Sequence, residues 1–190
     1  GLFNPLEGDV IADGISINRF NIKEWQKMIG YVPQDIFLTD DTVSANIAFG
    51  VPDEERNIDL IINAARIANI HDFIINELNE GYDTIVGERG IRISGGQRQR
   101  IGIARALYHD PELVVLDEAT SNLDQTTEAS FYKAIKQTAA NKTVIMIAHR
   151  LQRVKSCDML FVIDNGEIIG QGNYDELIKN NKIFKEMVKA

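Results

Sequence analysis

Positions 94–100 read Ser94-Gly95-Gly96-Gln97-Arg98-Gln99-Arg100, and a helical pattern continues from Ile101 to Leu107. Serine is a preferred first residue of a helix, because its hydroxyl accepts a hydrogen bond from a backbone N–H of the first turn. The two glycines leave neighbouring N–H groups unshielded at the positive end of the helix dipole. The stretch therefore predicts a helix N-terminus that binds an anion such as a phosphate.

A second chemical feature follows a short distance along the chain. The apolar run Leu113-Val114-Val115-Leu116 is typical of a buried strand, and it ends in two adjacent carboxylates, Asp117 and Glu118. Acids at the end of a buried strand are costly to leave unpaired, so they usually hold a metal or take part in chemistry. The alternative is an acidic strand end that simply faces solvent. With the serine–glycine stretch, the pair indicates a nucleoside triphosphate, a magnesium ion and hydrolysis.

The composition limits the class of protein. A chain of 190 residues, 44% of them hydrophobic, is long enough for one domain or for one domain with a lobe. The net charge of −8 argues against nonspecific nucleic-acid binding. The single cysteine, Cys157, favours a reducing compartment. No apolar stretch approaches the roughly 18 residues of a membrane span and no signal peptide opens the chain, so we expect no direct membrane insertion by this chain.

Five arginines flank the serine–glycine stretch, and they allow two interpretations. They form a solvated helix face with pairs inside the helix, or they direct a positive field at a phosphate or an acidic partner. The arginines are Arg89, Arg92, Arg98, Arg100 and Arg105.

Apolar runs that alternate with helical patterns predict an α/β fold with a mostly parallel sheet covered by helices. Strands are predicted at 9–12, 15–17, 29–32, 113–116, 143–148, 159–163 and 167–170, the last two joined by a hairpin turn at Asp164-Asn165-Gly166. Helices are predicted at 22–28, 42–49, 58–69 and 71–78, from the serine–glycine stretch to Asp110-Pro111, and at 125–138, 151–154 and from 175 onward. We predict that residues 1–34 and 111–190 form the core lobe, and that 35–110 form a mainly helical lobe.

Polar side chains follow three of the predicted core strands, and parallel strands bring their carboxyl ends to one edge of a sheet. Asp117 is the better metal anchor of the acidic pair and Glu118 the better base for an attacking water. The amide of Gln34 can ligate Mg²⁺ or orient water, but it cannot act as a base. His149, after the strand at 143–148, can hydrogen-bond a γ-phosphate or the water; a purely structural histidine is the alternative. Asp124 can cap the helix predicted from Gln125, a role compatible with contact to a second subunit.

Taken together, these motifs strongly resemble the nucleotide-binding domain of ATP-binding cassette (ABC) transporters over nearly the whole chain. Tyr31-Val32-Pro33-Gln34 is similar to the Q-loop, Leu113–Glu118 to the Walker B strand with its catalytic glutamate, and His149 to the switch histidine. Ile93-Ser94-Gly95-Gly96-Gln97 resembles the signature LSGGQ, with Ile for Leu. Ser121–Asp124 resembles the D-loop SALD, with Asn122 for Ala.

Two further stretches resemble the exporter-type subfamily. Val86-Gly87-Glu88-Arg89-Gly90 is similar to the X-loop, which contacts the transmembrane domains of exporters. Residues 42–50 are similar to the exporter segment after the Q-loop, although exporters more often have glycine where Asp41 stands. The sequence from Asp164 to Gly172 resembles the end of an exporter cassette.

The resemblance implies a P-loop NTPase-like α/β core with an α-helical lobe that carries the signature motif. It implies that ATP and Mg²⁺ bind between two cassettes packed head to tail, as a homodimer or heterodimer. Asp117 and Gln34 would hold the metal in one cassette. Residues of the other cassette would contact the nucleotide: Ser94, Gly95, Gly96, Gln97 and Asp124. The cassette would lie at the cytoplasmic face of the membrane, against transmembrane domains fused to it or separate, and it would power substrate export.

One family motif is missing from the sequence. No G-x-x-x-x-G-K-[ST] occurs, although its backbone N–H groups and lysine hold the β- and γ-phosphates in P-loop proteins. The resemblance implies that this loop lies just ahead of Gly1, so we expect the 190-residue chain alone to bind ATP weakly and to hydrolyse it negligibly. The alternatives are a soluble ABC ATPase of DNA repair, chromosome structure or translation, and a degenerate, non-catalytic interaction module.

Overall fold

The computed structural model describes residues 3, 5–18, 21–88, 93–119, 142–148 and 153–188. The chain divides into two compact units, Gly1–Met146 and Ile147–Ala190, each with a hydrophobic core of its own. No helix in these ranges is both long enough and apolar enough to cross a membrane.

The first unit alternates short strands and helices. Its described elements are β1 (Ile11–Ala12), β2 (Ile15–Ser16), α1 (Ile22–Lys27), β3 (Ile29–Val32), β4 (Asp41–Thr42), α2 (Val43–Ile47), α3 (Ile58–Ile67), α4 (His71–Glu77), β5 (Ile85–Val86), α5 (Gly95–Leu107), β6 (Leu113–Asp117) and β7 (Thr143–Ile147). A short 3₁₀ turn at Asp53–Glu55 lies between α2 and α3, and another at Gly81–Asp83 lies between α4 and β5. The elements predicted for the described parts of this unit are therefore present, most of them slightly shorter than expected.

Strands β3, β6 and β7 form the sheet that positions the candidate site, in that order. β3 and β6 are parallel, with Gly30 opposite Val114 and Val32 opposite Leu116. Val114 and Leu116 are buried because alternate residues of a strand point to the same face. Parallel pairing places the carboxyl ends of β3 and β6 at the same edge, so the residues after these strands become neighbours.

Helix α5 packs closely on β3, and Gly30 makes this contact possible. A Cβ atom at Gly30 would lie 2.3 Å from the carbonyl oxygen of Ala106 and 2.8 Å from Cγ of Pro111. Only glycine fits such an approach of helix to strand. The helix ends at Leu107, and Asp110, directly before Pro111, has a φ of 51°, outside the α-helical region. The chain has therefore left the helix before Pro111, as expected.

Two of the helices between β4 and α5, α2 and α3, begin at polar residues that cap them. The side chain of Thr42 accepts a hydrogen bond from the Ala45 N–H, and that of Asn57 accepts from the N–H groups of Asp59 and Leu60. β4 and β5 pair in antiparallel fashion. The apolar faces of these helices join α5 and the sheet in one core, whose largest fully buried aliphatic side chains are Val32, Val43, Ile47, Ile61, Ile70, Ile74, Val86, Ile101, Ile103 and Leu116.

The second unit is a hairpin with two helices. Strands β8 (Leu160–Asp164) and β9 (Glu167–Gly172) are antiparallel. Asn165 and Gly166 both have positive φ, which confirms the predicted Asn-Gly turn. The predicted C-terminal helix is two helices, α6 (Tyr174–Asn180) and α7 (Lys182–Met187), because Asn181 adopts an extended backbone and caps the second one.

Two other secondary-structure predictions have different outcomes. Of the helix expected at 151–154, only residues 153 and 154 are described, and they belong to a 3₁₀ turn, Arg153–Ser156. The predicted helix at 125–138 lies outside the described residues. The lobe boundaries at 34/35 and 110/111 stay a prediction.

Candidate functional site

The ends of β3 and β6 bring three of the predicted site residues together. Gln34 follows β3, Asp117 is the last residue of β6, and Glu118 comes next. The Nε2 atom of Gln34 donates a hydrogen bond to Oε2 of Glu118 at 3.2 Å. The structure therefore gathers Gln34 and the acidic pair at one sheet edge, while the chemical roles assigned to them stay predictions.

The two adjacent carboxylates have different partners. Oδ2 of Asp117 accepts a hydrogen bond from the Tyr31 hydroxyl at 3.2 Å, whereas Glu118 accepts from Gln34. The backbone of Glu118 has a φ of 49°, in the left-handed region that residues other than glycine rarely adopt. Such a conformation costs on the order of 1 kcal/mol or more and tends to occur at functional sites. The backbone turn at Glu118 separates the two carboxylates. Such a separation is needed if the two acids have different roles.

Tyr31 is a site residue that the sequence reasoning did not single out. It lies on β3 in register with Val115, so its hydroxyl reaches the end of β6. Burial, followed by the hydrogen bond and the negative charge of Asp117, raises the pKa of Tyr31 above the ordinary value of 10.0. The phenol therefore stays protonated and donates to Asp117 at neutral pH. The only sequence feature that pointed to Tyr31 was its place in the Q-loop-like motif. The contact with Asp117 became evident only from the pairing of β3 with β6.

Ser94 caps α5 with a reciprocal pair of hydrogen bonds. Oγ of Ser94 accepts from the Gln97 N–H at 3.2 Å, and Oε1 of Gln97 accepts from the Ser94 N–H at 2.7 Å. This capping box fixes the first turn of the helix. The helix start at Ser94 was predicted, but the role of the Gln97 side chain within the cap was not.

The cap reduces the number of N–H groups that can bind an anion at the predicted site. The N–H groups of Ser94 and Gln97 are already bonded, so they are not bare as the sequence suggested. Within the described part of the chain, the N–H groups of Gly95 and Gly96 have no protein acceptor. A phosphate at this helix N-terminus would therefore meet these two N–H groups and the Ser94 hydroxyl, which can donate while it accepts from Gln97.

The oxygen atoms at the sheet edge suit a magnesium ion that also binds phosphate. Mg²⁺ is usually held by one or two carboxylates together with substrate phosphates. Among the described residues, no three His, Cys, Asp or Glu side chains form a group that could hold a metal. Asp117 supplies a carboxylate, and Gln34 keeps its amide oxygen for a ligand because its nitrogen donates to Glu118. The donor set fits Mg²⁺ completed by a nucleotide.

The arginines near the signature do not act as one group. Arg98 is exposed, whereas Arg105 bonds three protein oxygen atoms: the Asn46 carbonyl and Oδ1 and the Phe37 carbonyl. Burial lowers the pKa of Arg105 from its ordinary value. Neither proposed interpretation describes Arg105, which holds neighbouring segments together. Arg89 and Arg92 lie outside the described residues.

A cavity of about 530 Å³ opens beside the segment that follows Gln34. Arg98 gives one wall a positive charge and Glu88 gives another a negative charge. Apolar side chains and one glycine complete the lining: Ile36, Phe37, Leu38, Gly87 and Ile93. Phe37 is 72% exposed, so an aromatic ring lies open to solvent at this surface.

Two of the predicted site residues cannot be placed. His149 and Asp124 lie outside the described residues. The predicted convergence of a third strand end with Gln34 and Asp117 therefore stays a prediction.

Comparison with known proteins gives consistent matches. The family described as ABC transporter matches residues 1–121. The chain is 41% identical to ABC transporter B family member 15 of Arabidopsis thaliana, covering 94% of this chain and 14% of the relative. It is 39% identical to the ATP-dependent lipid A-core flippase of Cupriavidus metallidurans, covering 96% of this chain and 31% of the relative. A solved bacterial Atm1-family ABC exporter with ATP bound superimposes with a TM-score of 0.90 at 38% identity, covering 97% of this chain and 32% of that one.

These matches confirm both the family resemblance and the P-loop NTPase-like α/β fold class expected from the sequence. The chain spans less than a third of the length of each of these relatives. Its strand-end carboxylates, its capped signature helix and its similarity over nearly its whole length lead to the same identification. The chain belongs to the ABC transporter family, as a nucleotide-binding domain of the exporter type.

Proposed function

We propose that this domain binds ATP with Mg²⁺ and hydrolyses it to power the export of a substrate across a membrane. The observation that carries the proposal is the gathering of Gln34, Asp117 and Glu118 at one sheet edge. It is supported by the relatives, which include an ATP-dependent flippase and an exporter with ATP bound.

Glu118 is the proposed general base. Its carboxylate faces the Gln34 amide, where it accepts the proton of a water that attacks the γ-phosphate. Gln34 holds Glu118 by its amide nitrogen and offers its amide oxygen to that water or to the metal. In a reaction that depends mainly on positioning, fixing the base and the water is most of the contribution a protein makes.

Asp117 and Gln34 are the proposed magnesium ligands. When bound, Mg²⁺ neutralises charge on the phosphate oxygen atoms. Tyr31 donates to one oxygen of Asp117 and so orients the carboxylate toward the nucleotide.

A second copy or a homologous cassette completes the proposed site. Its Ser94 hydroxyl and the N–H groups of Gly95 and Gly96 would meet the γ-phosphate, with Gln97 holding the serine in place. From the family resemblance, Asp124 belongs to the same intersubunit contact, and His149 hydrogen-bonds the γ-phosphate or the water. Loss of the γ-phosphate removes the attraction between the two cassettes, so hydrolysis loosens the dimer.

The cavity beside the segment after Gln34 is the proposed contact with the transmembrane domains. It lies between that segment and Gly87 of the X-loop-like stretch, and it presents both an aromatic ring and opposite charges. A helix end of a membrane domain that entered the cavity would move with Gln34. A cassette that contacts transmembrane domains in this way would lie at the cytoplasmic face of the membrane.

The 190-residue chain by itself is proposed to be inactive, because its sequence has no G-x-x-x-x-G-K-[ST] motif. Phosphate cradling by that loop is a large part of positioning in this reaction class.

Steady-state ATP turnover by the purified full-length protein in lipid tests the proposal. We expect Mg²⁺-dependent turnover that falls at least a hundredfold in the Glu118→Gln variant, while ATP binding is retained. The matched control is Glu112→Gln, a glutamate just before β6 that has no assigned role. Equal turnover in Glu118→Gln and the parent would overturn the mechanism.

The same measurement separates the alternatives. Tight ATP binding without turnover in the parent would favour an interaction module. Turnover that does not drive transport in sealed vesicles would favour a soluble ABC ATPase. Turnover by the 190-residue chain alone, abolished in Glu118→Gln, would refute the proposed inactivity of the fragment.

A further inference from the structure

Arg105 reaches out of the signature helix α5 to two other segments. Its Nε donates to the Asn46 carbonyl at 2.8 Å, and one terminal nitrogen donates to Oδ1 of Asn46 at 3.1 Å. The other terminal nitrogen donates to the carbonyl of Phe37 at 3.0 Å. The guanidinium also lies 4.8 Å from the centroid of the Phe49 ring. One side chain thus links α5 to the end of α2 and to the segment after Gln34.

Asn46 is the fully buried centre of this network. Its Oδ1 accepts from both the N–H and the hydroxyl of Thr39, at 3.0 and 3.2 Å. Its Nδ2 donates to the carbonyls of Thr39, Asp41 and Thr42. Every hydrogen-bonding atom of the amide is in use, and all of its partners except Arg105 belong to the chain between Gln34 and α2.

Gly102 and Gly87 each allow a close contact with the segment that follows Gln34. A Cβ atom at Gly102 of α5 would lie 2.4 Å from Cδ1 of Ile36, so the segment after Gln34 rests directly on the signature helix. A Cβ atom at Gly87 would lie 2.5 Å from Oδ1 of Asp40 and 2.9 Å from the Thr39 carbonyl. The X-loop-like stretch is therefore in contact with the residues that Asn46 holds.

We propose that Arg105 and Asn46, together called the clamp, are positioning residues that make α5, the segment 36–42 and the loop at Gly87 move as one body during ATP turnover. This proposal rests on the proposed function. A displacement of Gln34 by a nucleotide, or of Gly87 by a membrane domain, is then carried to Ser94 at the start of α5. Coupling of this kind needs a contiguous element that both sites bias, and a buried, fully bonded network supplies one.

Hydrogen exchange and ATP turnover in the full-length protein test the clamp. The variants are Arg105→Met, which keeps much of the apolar stem but removes every donor, and Arg105→Lys, which keeps one charged donor group. Arg66→Met is the matched control, because Arg66 is an exposed helix arginine outside this network. The reporter is the Thr39 amide, which bonds Oδ1 of Asn46.

In Arg105→Met, we expect the Thr39 amide to exchange at least tenfold faster, while the amides of 101–107 stay within twofold of the parent. The maximal ATP turnover rate should fall at least tenfold, with the ATP concentration for half-maximal turnover within twofold. Arg105→Lys should recover part of both losses, and Arg66→Met should change neither. Should Arg105→Met fail to fold, Arg105→Lys decides, because lysine cannot reach Phe37 and Asn46 together and the same direction is expected.

Unchanged hydrogen exchange at the Thr39 amide in Arg105→Met would overturn the clamp. Equally faster exchange throughout α5 would also overturn it, because that result indicates general destabilisation. Faster exchange of the Thr39 amide together with normal ATP turnover would overturn the role of the clamp in the reaction. A parent protein without turnover would refute the proposed function, and the exchange data alone would then decide whether the clamp joins the three segments.

Discussion

The side-chain amide of Gln34 donates a hydrogen bond to Oε2 of Glu118, over 3.2 Å and across 84 positions of sequence. The bond exists because β3 and β6 are parallel neighbours with their carboxyl ends level. It orients the proposed base and, at the same time, fixes which end of the Gln34 amide faces away from it. The pair is therefore one unit in which a change to either residue alters the other.

Replacing Gln34 by glutamate should shift the pH dependence of ATP turnover. Two carboxylates at this distance cannot easily ionise together, so the pKa of the pair rises and the pair keeps a proton to a higher pH than Glu118 does in the parent. A protonated Glu118 cannot accept a proton from water. We expect the acid limb of the pH–rate profile of Gln34→Glu to move up by roughly one pH unit, so that turnover at a given pH on that limb falls about tenfold.

The control for this experiment is Gln34→Met, which removes the amide without adding charge. Its turnover should also fall, because water and Glu118 lose their orientation, but its acid limb should stay where it is in the parent. An acid limb that moves equally in both variants, or in neither, contradicts the proposed pairing.

Gly30→Ala should destabilise the fold, by about 2 kcal/mol or more, because the added methyl group meets the backbone carbonyl of Ala106, which cannot rotate away. Gly102→Ala should cost less, about 1 kcal/mol, since the methyl group meets the Ile36 side chain and alanine favours the helix. Chemical unfolding followed by fluorescence of Trp25, the single tryptophan, measures both values.

Gly95→Ala is the control for these glycine substitutions, because nothing lies within 4 Å of a Cβ atom there. Its stability should stay within about 0.5 kcal/mol of the parent. A Gly30→Ala variant as stable as Gly95→Ala would show that α5 does not press on β3 as the structure has it.

Cys157 should react slowly with thiol reagents. Burial, and then the negative charge of Asp158, raises the pKa of this thiol above its ordinary value of 9.0. Only the thiolate reacts, and a raised pKa lowers the thiolate fraction at neutral pH. With a disulfide reagent at pH 7.5, the folded protein should react several times more slowly than the protein unfolded in urea, and its rate should still be rising above pH 9.

Asp158→Asn supplies the matched variant, since it removes the charge and leaves the burial. It should react faster than the parent at pH 7.5 and remain slower than the unfolded chain. If Cys157 reacts at the same rate in the folded parent and in the unfolded protein, the thiol is neither shielded nor near Asp158.

The parts predicted well from sequence are those in which local chemistry decides the structure. The apolar run 113–116 forms β6, Ser94 begins α5, and Asn165-Gly166 makes the hairpin turn. In each case the signal is a residue type acting on its own backbone or on residues close by in the chain. The prediction that Gln34 and the acidic pair meet needed one further rule, that parallel strands end at one edge.

The parts that sequence reasoning missed depend on contacts between distant segments. In the sequence, Arg105 was one of several charges near the signature, and Asn46 had no assigned role. The two residues are 59 positions apart, yet they are hydrogen-bonded. The hydrogen-bond partner of Tyr31 comes from the strand that lies beside it. The positive φ of Glu118 has no local sequence signal such as glycine.

The sequence by itself determined most of the elements, the residue types that follow the strands and the family, because helix caps, apolar periods and short motifs are local properties of the chain. Only the tertiary structure decided which side chains share a hydrogen bond. Gln34 with Glu118, Tyr31 with Asp117 and Arg105 with Asn46 are joined by the register of β3 against β6 and by the packing of α5, and neither is written in any one segment. Long-range partners follow from the packing of many segments at once, whereas a motif reports only on its own neighbours.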